Sequence, residues 1–163
     1  MSQQLSRREP RVERCETMTS NVSLLGTALL EQAAAFDHAR MLEVFNAYLA
    51  TWRDRDPSTR AELFAPDAVV EDPVGAPPLC GMEAVKAFWQ LGDGSGSRFE
   101  PRLELFVPGG SECLVRFVMR MIKEGEPTVE LTVHETLRFD SHYRIAALRA
   151  FWSQDSFTVV SAE

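Results

Sequence analysis

The chain has 163 residues, of which 45% are apolar and 25% charged, the composition of one globular domain of ordinary size. Its net charge is −7, and because residues 1–17 carry four arginines against three glutamates, the part from Met18 onward carries −8. So acidic a domain argues against nucleic acid and against an anionic membrane surface as partners.

Cysteine and histidine usage points to a reduced compartment and to no metal. Cys15, Cys80 and Cys113 are odd in number and far apart, so they form neither a disulfide framework nor a ligand pair. The three histidines have no ligand spacing either. No apolar run reaches membrane-spanning length. We therefore predict a cytoplasmic protein without a metal or a cofactor.

The N-terminal segment is polar. Residues 1–20 contain no apolar stretch of the kind a secretory signal needs, and their arginines alternate with glutamates, which a transit peptide would lack. We interpret them as a mobile leader, with Met18 as an alternative start. The remainder, 21–163, is predicted to be a single domain, and its first segment, 22–35, favours a helix.

The next segments are helical. From Asp37, a favourable N-cap, apolar residues recur at spacings of three and four as far as Trp52, which predicts one amphipathic helix. Thr59 and Glu62 match a capping box and predict a short second helix through Phe64.

A short β-prone stretch at 68–72 is stopped by Pro73, a third helix is predicted over 81–91, and the GDGSGS sequence at 92–97 is a loop. After this loop the period changes from helical to alternating. Four long strands are predicted in hairpin succession, at 99–107, 112–122, 128–140 and 144–156. Helices followed by such strands indicate an α+β fold, in which a curved antiparallel sheet wraps on the N-terminal helices and encloses an apolar pocket.

One acidic residue lies on the wrong face of its strand. Glu135 shares the alternation of Val133 and Leu137, so it faces the core, where an ionised and unpaired carboxylate costs several kcal/mol. It is therefore protonated, paired or directed into a cavity. The alternatives are an ion pair with Arg149 or a bulge that shifts the register; a slip by one residue would turn His134 inward instead.

Two further polar residues have two interpretations each. Tyr48 lies on the apolar stripe of the helix predicted from Asp37 to Trp52, either as an ordinary core tyrosine or as a hydroxyl donor directed into the pocket. Asp72 ends the β-prone stretch before Pro73, either as an acid that caps the following bend or as a base at the pocket mouth.

The order and spacing of several motifs resemble a known family over residues 36–157. These motifs are EDPVG at 71–75, CG at 80–81, AVKAFW at 84–89, HETLRFD at 134–140 and ALRAFW at 147–152. With Tyr48 placed ahead of Asp72, they resemble the Δ5-3-ketosteroid isomerases of the nuclear-transport-factor-2-like (SnoaL-like) superfamily, whose fold is a curved cone. The resemblance implies a cofactor-free isomerase that acts on an apolar polycyclic ketone such as a steroid, and a homodimer.

The resemblance also implies roles for individual residues. Asp72 corresponds to the catalytic base, Tyr48 to the oxyanion-hole tyrosine, and Glu135 to a protonated aspartate that is one methylene shorter. Trp89 stands where some members have a phenol that supports the tyrosine. The residues predicted to line the substrate slot are Val74, Phe88, Trp89, Val115, Phe117, Met119 and Trp152.

Three classes of function remain open at this stage. The first is isomerisation of a Δ5-3-oxosteroid or a similar enolisable ketone. The second is a SnoaL-like polyketide cyclase or a dehydratase, which also use acid–base pairs, and the third is non-catalytic binding of apolar polycyclic ligands. The outer face of the sheet, with Leu114 and Val118 among its arginines, is the predicted dimer interface.

Overall fold

The computed structural model describes residues 36–160, so the predicted leader 1–20 and the predicted helix 22–35 lie outside the described residues. The described part contains three α-helices and seven strands. The helices are α1 (His38–Asp54), α2 (Pro57–Glu62) and α3 (Met82–Asp93). The strands are β1 (Phe64–Glu71), β2 (Leu79–Cys80), β3 (Arg98–Gly109), β4 (Glu112–Ile122), β5 (Thr128–Phe139), β6 (Ile145–Phe151) and β7 (Phe157–Val160).

Helix α1 begins at the predicted cap. The Asp37 side chain accepts hydrogen bonds from the backbone N–H groups of Ala39 and Arg40 at 3.0 and 3.1 Å, which satisfies two donors that have no partner inside the helix. The buried positions follow the predicted stripe and include Phe45 and Tyr48. Burial of that stripe against the sheet fixes which side chains face the interior.

The predicted start and end of α2 were wrong. Asp56, not Thr59, is the N-cap, and its carboxylate accepts from the Thr59 backbone N–H at 2.9 Å. Pro57 takes the first helical position, where its missing N–H costs nothing. The helix ends at Glu62, and Phe64 already begins β1, because its buried side chain belongs to the sheet.

The sheet has the strand order β2-β1-β6-β5-β4-β3, and β7 pairs with β5. The four long strands are antiparallel neighbours as predicted, and the α+β fold with a curved, open sheet is confirmed. The pairing of β1 with β6 is parallel, which the alternation of side chains could not reveal because it carries no information on strand direction.

Strand 144–156 was predicted as one element but is two. β6 ends at Phe151, and a short 3₁₀ turn at Gln154–Ser156 follows, with Ser153 as its capping residue. This turn redirects the chain, so that β7 pairs with the first residues of β5, from Thr128 to Leu131, whereas β6 pairs with β5 from His134 to Phe139.

The register fixes the two faces of the sheet. Glu135 of β5 lies directly between Val115 of β4 and Ala150 of β6, and all three are buried on the face that packs against the helices. On the outer face Leu114 is exposed as predicted, but Val118 is only 6% exposed, so it contributes little free surface to the predicted interface. Within the described residues, no helix is both long and apolar enough to cross a membrane.

Candidate active site

A cavity of about 180 Å³ lies between the helices and the inner face of the sheet. Three of its lining residues are polar: Tyr48 from α1, Asp72 from the end of β1 and Glu135 from β5. The other lining residues are mostly large and apolar: Trp52, Phe88, Leu91, Gly92, Phe99, Phe117, Met119, Met121, Leu131, Val133 and Trp152. The three residues that the sequence singled out as polar exceptions therefore meet in one apolar cavity.

The structure brings four of the seven predicted slot residues to this cavity, namely Phe88, Phe117, Met119 and Trp152, and leaves three outside it. Val115 is fully buried in the core, and Trp89 is 3% exposed with its ring 5.1 Å from that of Phe64. Val74 is half-buried in the turn after β1, where its backbone N–H donates to the Ala150 carbonyl at 2.8 Å.

Asp72 faces the cavity because it continues the alternation of the buried Ala68 and Val70 of β1. The Trp152 indole N–H donates a hydrogen bond to its Oδ1 at 2.5 Å. Burial raises the pKa of Asp72, and the hydrogen bond from Trp152 partly opposes that rise by favouring the ionised form. Asp72 is thus a partly desolvated carboxyl group with one neutral donor.

Glu135 lies deeper and has less support. Its side chain is 2% exposed, and its Oε2 atom is buried without a hydrogen-bond partner among the described residues. Burial raises its pKa well above the usual range, and the nearby charge of Asp72 raises it further. This environment favours the neutral form of the carboxyl group, and a neutral carboxyl group can donate a hydrogen bond.

Two alternative interpretations of Glu135 were wrong. Arg149 lies on the outer face of β6, where its Nε donates to Glu71 Oε1 at 2.9 Å, so it is not the partner of Glu135. The strands are not slipped either, since His134 pairs with Arg116 and Phe151 on the exposed face.

Tyr48 is 5% exposed and is surrounded by aromatic rings, with that of Phe64 at 5.6 Å and that of Trp52 at 6.4 Å. Burial raises the pKa of the phenol well above its usual range, and ionisation of Glu135 raises it further. The adjacent Trp52 indole and the charge of Arg60 act in the opposite direction. The phenol is therefore neutral at physiological pH and keeps a proton to donate.

The chemistry available to this cavity follows from these three groups. One carboxyl group near the opening can exchange a proton with a ligand, while a phenol and a neutral carboxylic acid can hold a developing negative oxygen. The apolar walls strengthen such hydrogen bonds because they exclude water. Among residues 36–160, no group of three or more His, Cys, Asp or Glu side chains has the arrangement of a metal site.

Sequence reasoning missed two residues next to the site. Trp52 was placed on the apolar stripe but not in the cavity, and Arg60 was not singled out at all, although its side chain is fully buried. The missed signal was the Asp56-Pro57 helix start. It turns Arg60 back onto α1, where the side chain reaches Thr51 and Trp52.

Comparisons with known proteins agree with this architecture. The family model described as SnoaL-like domain matches residues 45–154. A steroid Delta-isomerase of Nocardioides simplex is 29% identical over 116 residues, which cover 71% of this chain and 91% of that protein.

Solved structures of the same shape include a Mycobacterium tuberculosis protein in complex with estradiol-17beta-hemisuccinate, at 24% identity and a TM-score of 0.65 over 73% of this chain and 98% of that one. The epoxide hydrolase/cyclase-like enzyme SalBIII aligns at 20% identity and a TM-score of 0.66 over 76% and 98%. A computationally designed 17-OHP binder aligns at 24% identity and a TM-score of 0.65 over 76% and 98%. At these identities the likeness concerns the fold alone.

Proposed function

Because the chain belongs to the SnoaL-like family, we propose that it is a ketosteroid-isomerase-like enzyme that converts a Δ5-3-oxosteroid, or a similar enolisable ketone, into its conjugated isomer. One observation carries the proposal: a carboxyl group that can ionise and two neutral donors line the same apolar cavity. The steroid Delta-isomerase relative supports the choice of substrate class.

In the proposed reaction Asp72 is the base. Its carboxylate removes a proton from the carbon between the ketone and the double bond. The C–H electron pair forms a new double bond to the carbonyl carbon, and the carbonyl π pair moves onto the ketone oxygen, which gives a dienolate. Tyr48 and the protonated Glu135 donate hydrogen bonds to that oxygen. Asp72 then returns the same proton two carbons along, so that the reaction is balanced without a cofactor.

The environments of the two carboxyl groups support this division of roles. Asp72 has a hydrogen-bond donor, Trp152, that favours its ionised form, whereas Glu135 is more deeply buried and its Oε2 atom has no partner in the described part of the chain. Two acids whose environments separate their pKa values can act as base and proton donor at one pH. The neutral phenol of Tyr48 provides the second donor without adding charge.

The second candidate is a cyclase of the SnoaL-like type. The observation that favours it is the same pair of carboxyl groups in one cavity, since an acid–base pair also serves ring closure. The SalBIII likeness is compatible with it at the level of the fold. A screen for turnover separates the two candidates, and ligand binding without any turnover would instead support a non-catalytic binder.

The test of the proposed function is Asp72→Asn, with Asp67→Asn as the matched control, because Asp67 is an exposed aspartate on the same strand. With 5-androstene-3,17-dione, the appearance of conjugated-enone absorbance measures turnover. We expect Asp72→Asn to lower kcat by about 10²–10⁴-fold, the usual contribution of a positioned general base, and Asp67→Asn to leave it unchanged. Parent-like turnover of Asp72→Asn would exclude Asp72 as the base.

We also propose that the protein forms a homodimer through the outer face of the sheet. Leu105 and Val107 of β3, Leu114 of β4 and Phe151 of β6 are each more than 40% exposed there, and Val107 pairs directly with Leu114. Exposed apolar side chains grouped on a sheet face are typical of a protein–protein contact. A second copy of this chain would cover them without enclosing the cavity, which lies on the other face.

A further inference from the structure

Arg60 is the one arginine among the described residues whose side chain is fully buried. Such a guanidinium is stable only when paired and hydrogen-bonded. Here Nη1 and Nη2 each lie 3.2 Å from an Asp93 carboxylate oxygen, while Nε donates to Thr51 Oγ1 and Nη2 to the Thr51 carbonyl, both at 3.2 Å. The group is therefore held rigidly between α1, α2 and α3.

The guanidinium also stacks on the Trp52 indole. Its Cζ atom lies 3.5 Å from the centroid of that ring, a close cation–π contact of a fully buried guanidinium. A second contact comes from α3, where a Cβ atom at Gly92 would lie 3.2 Å from Trp52 Cζ3. Contacts with both Arg60 and the backbone of Gly92 thus restrict the position of the indole.

Trp52 in turn contacts both the cavity and the proposed oxyanion donor. It lines the cavity and lies one helical turn after Tyr48, with the two rings edge to face at 6.4 Å. This edge-to-face contact restricts the plane of the phenol ring and so the direction in which its hydroxyl group points.

We propose that Arg60 is a positioning residue of the site: it fixes the Trp52 indole against Tyr48 and so holds the phenol in the orientation that donates to the substrate oxygen. The inference rests on the proposed function, in which Tyr48 is an oxyanion donor. Arg60 itself does not line the cavity, so any effect on the reaction is transmitted through Trp52. Its positive charge also offsets the two carboxyl groups that act on Tyr48.

A purely structural role predicts different behaviour. An arginine that only joins three helices would lower stability when removed and would affect turnover equally whether or not Tyr48 is present. A positioning residue affects turnover through Tyr48, so its effect disappears when the phenolic hydroxyl is absent. A double-mutant cycle separates the two roles.

The experiment measures kcat, KM and the melting temperature for Arg60→Met, Tyr48→Phe and the double variant, with 5-androstene-3,17-dione as substrate. Val85→Ala is the matched control, because Val85 is fully buried on α3 and does not line the cavity. We expect Arg60→Met to lower kcat roughly 10-fold or more, a part of the 10²–10³-fold cost of losing an oxyanion donor, with KM changed less than about 3-fold. In the Tyr48→Phe background we expect less than a 2-fold further loss.

Equal losses of kcat in both backgrounds, or parent-like kcat in Arg60→Met, would overturn the inference. Val85→Ala should lower the melting temperature in a similar way without the loss of kcat.

If the parent protein does not turn over this steroid, the proposed function fails, and the inference is then decided by the NMR signal of tyrosine labelled with ¹³C at Cζ. The chain has two tyrosines, and Tyr143→Phe assigns their signals. A change in the Cζ chemical shift of Tyr48 in Arg60→Met but not in Val85→Ala would support the inference. An unchanged chemical shift in Arg60→Met would overturn it.

Discussion

The sharpest prediction concerns the protonation of Glu135. Its Oε2 atom has no partner among the described residues, and Arg149, the cation first considered for it, is paired with Glu71 on the outer face. If the proposed role is right, Glu135→Gln keeps a neutral donor of nearly the same shape, whereas Glu135→Leu removes it. The two variants therefore differ in one hydrogen bond within the same apolar surroundings.

The expected magnitudes follow from that burial. A phenolic steroid such as estradiol presents its oxygen where the dienolate oxygen would lie. Glu135→Gln should bind it with little loss, and Glu135→Leu should bind it about 1–3 kcal/mol more weakly, the cost of a missing hydrogen bond in a desolvated site.

Stability provides a second and independent magnitude. Folding raises the pKa of Glu135. Its contribution to the free energy of unfolding is therefore fully present below the pKa that it has in the unfolded chain, and is lost as pH rises towards the pKa that it has in the folded protein. Glu135→Gln has no such loss. As pH rises between the two pKa values, the free energy of unfolding of Glu135→Gln should therefore increase relative to that of the parent by about 1.4 kcal/mol for each pH unit.

Calorimetric titration with estradiol and urea unfolding at several pH values measure both quantities in the three proteins. Equal affinity in all three, together with a pH-independent loss of stability in both variants, would show that Glu135 is a structural residue. Tyr48 would then be left as the only oxyanion donor. A lower stability of Glu135→Gln at high pH than at low pH, relative to the parent, would contradict the sign of the pKa shift.

Two other predictions concern pH and assembly. Burial raises the pKa of Asp72, so kcat/KM should fall in acid with an apparent pKa higher than the ordinary value of about 3.9. Trp152→Phe removes a hydrogen bond that lowers this pKa, so it should move the acid limb of the profile to higher pH. An acid limb that stayed in place or moved to lower pH would argue against Asp72 as the titrating base. Leu114→Lys on the outer sheet face should convert a dimer to a monomer in analytical ultracentrifugation, while Val159→Lys, at a position 66% exposed on β7, should not. A monomeric parent would exclude the proposed interface.

Much of the fold was predictable because periodicity reports burial directly. The stripe of α1 and the alternation of β3 to β5 both reflect one buried face, and the polar exceptions on those faces identified Tyr48 and Glu135. Asp72 was found differently, since an acid before Pro73 has two interpretations until the direction of its side chain is known. The parallel pairing of β1 with β6, which turns Asp72 towards Trp152, was not predictable from alternation.

The surroundings of Tyr48 were also beyond sequence reasoning. Arg60 lies in a short polar helix, where a cation is normally solvated, and only the packing of three helices explains its burial. Trp89 was considered as the support of Tyr48, but it packs on Phe64 in the core, while Trp52 contacts the phenol. Which of two aromatic residues contacts the phenol ring depends on side-chain placement, and periodicity carries no information on that.

The roles proposed for the two acids follow from their neighbours rather than from their residue types. Either carboxyl group could be the base by chemistry alone, and the longer side chain of Glu135 would reach a ligand more easily. However, a base must be ionised before it acts, and of the two acids only Asp72 has, among residues 36–160, a hydrogen-bond donor, Trp152, that stabilises a negative charge. The charge on Asp72 then raises the pKa of Glu135 further, so ionisation of one acid helps to keep the other neutral. In the proposed reaction this coupling would let a site with two carboxyl groups stabilise an oxyanion: with Glu135 neutral, the negative charge of Asp72 passes to the ligand when Asp72 takes the proton.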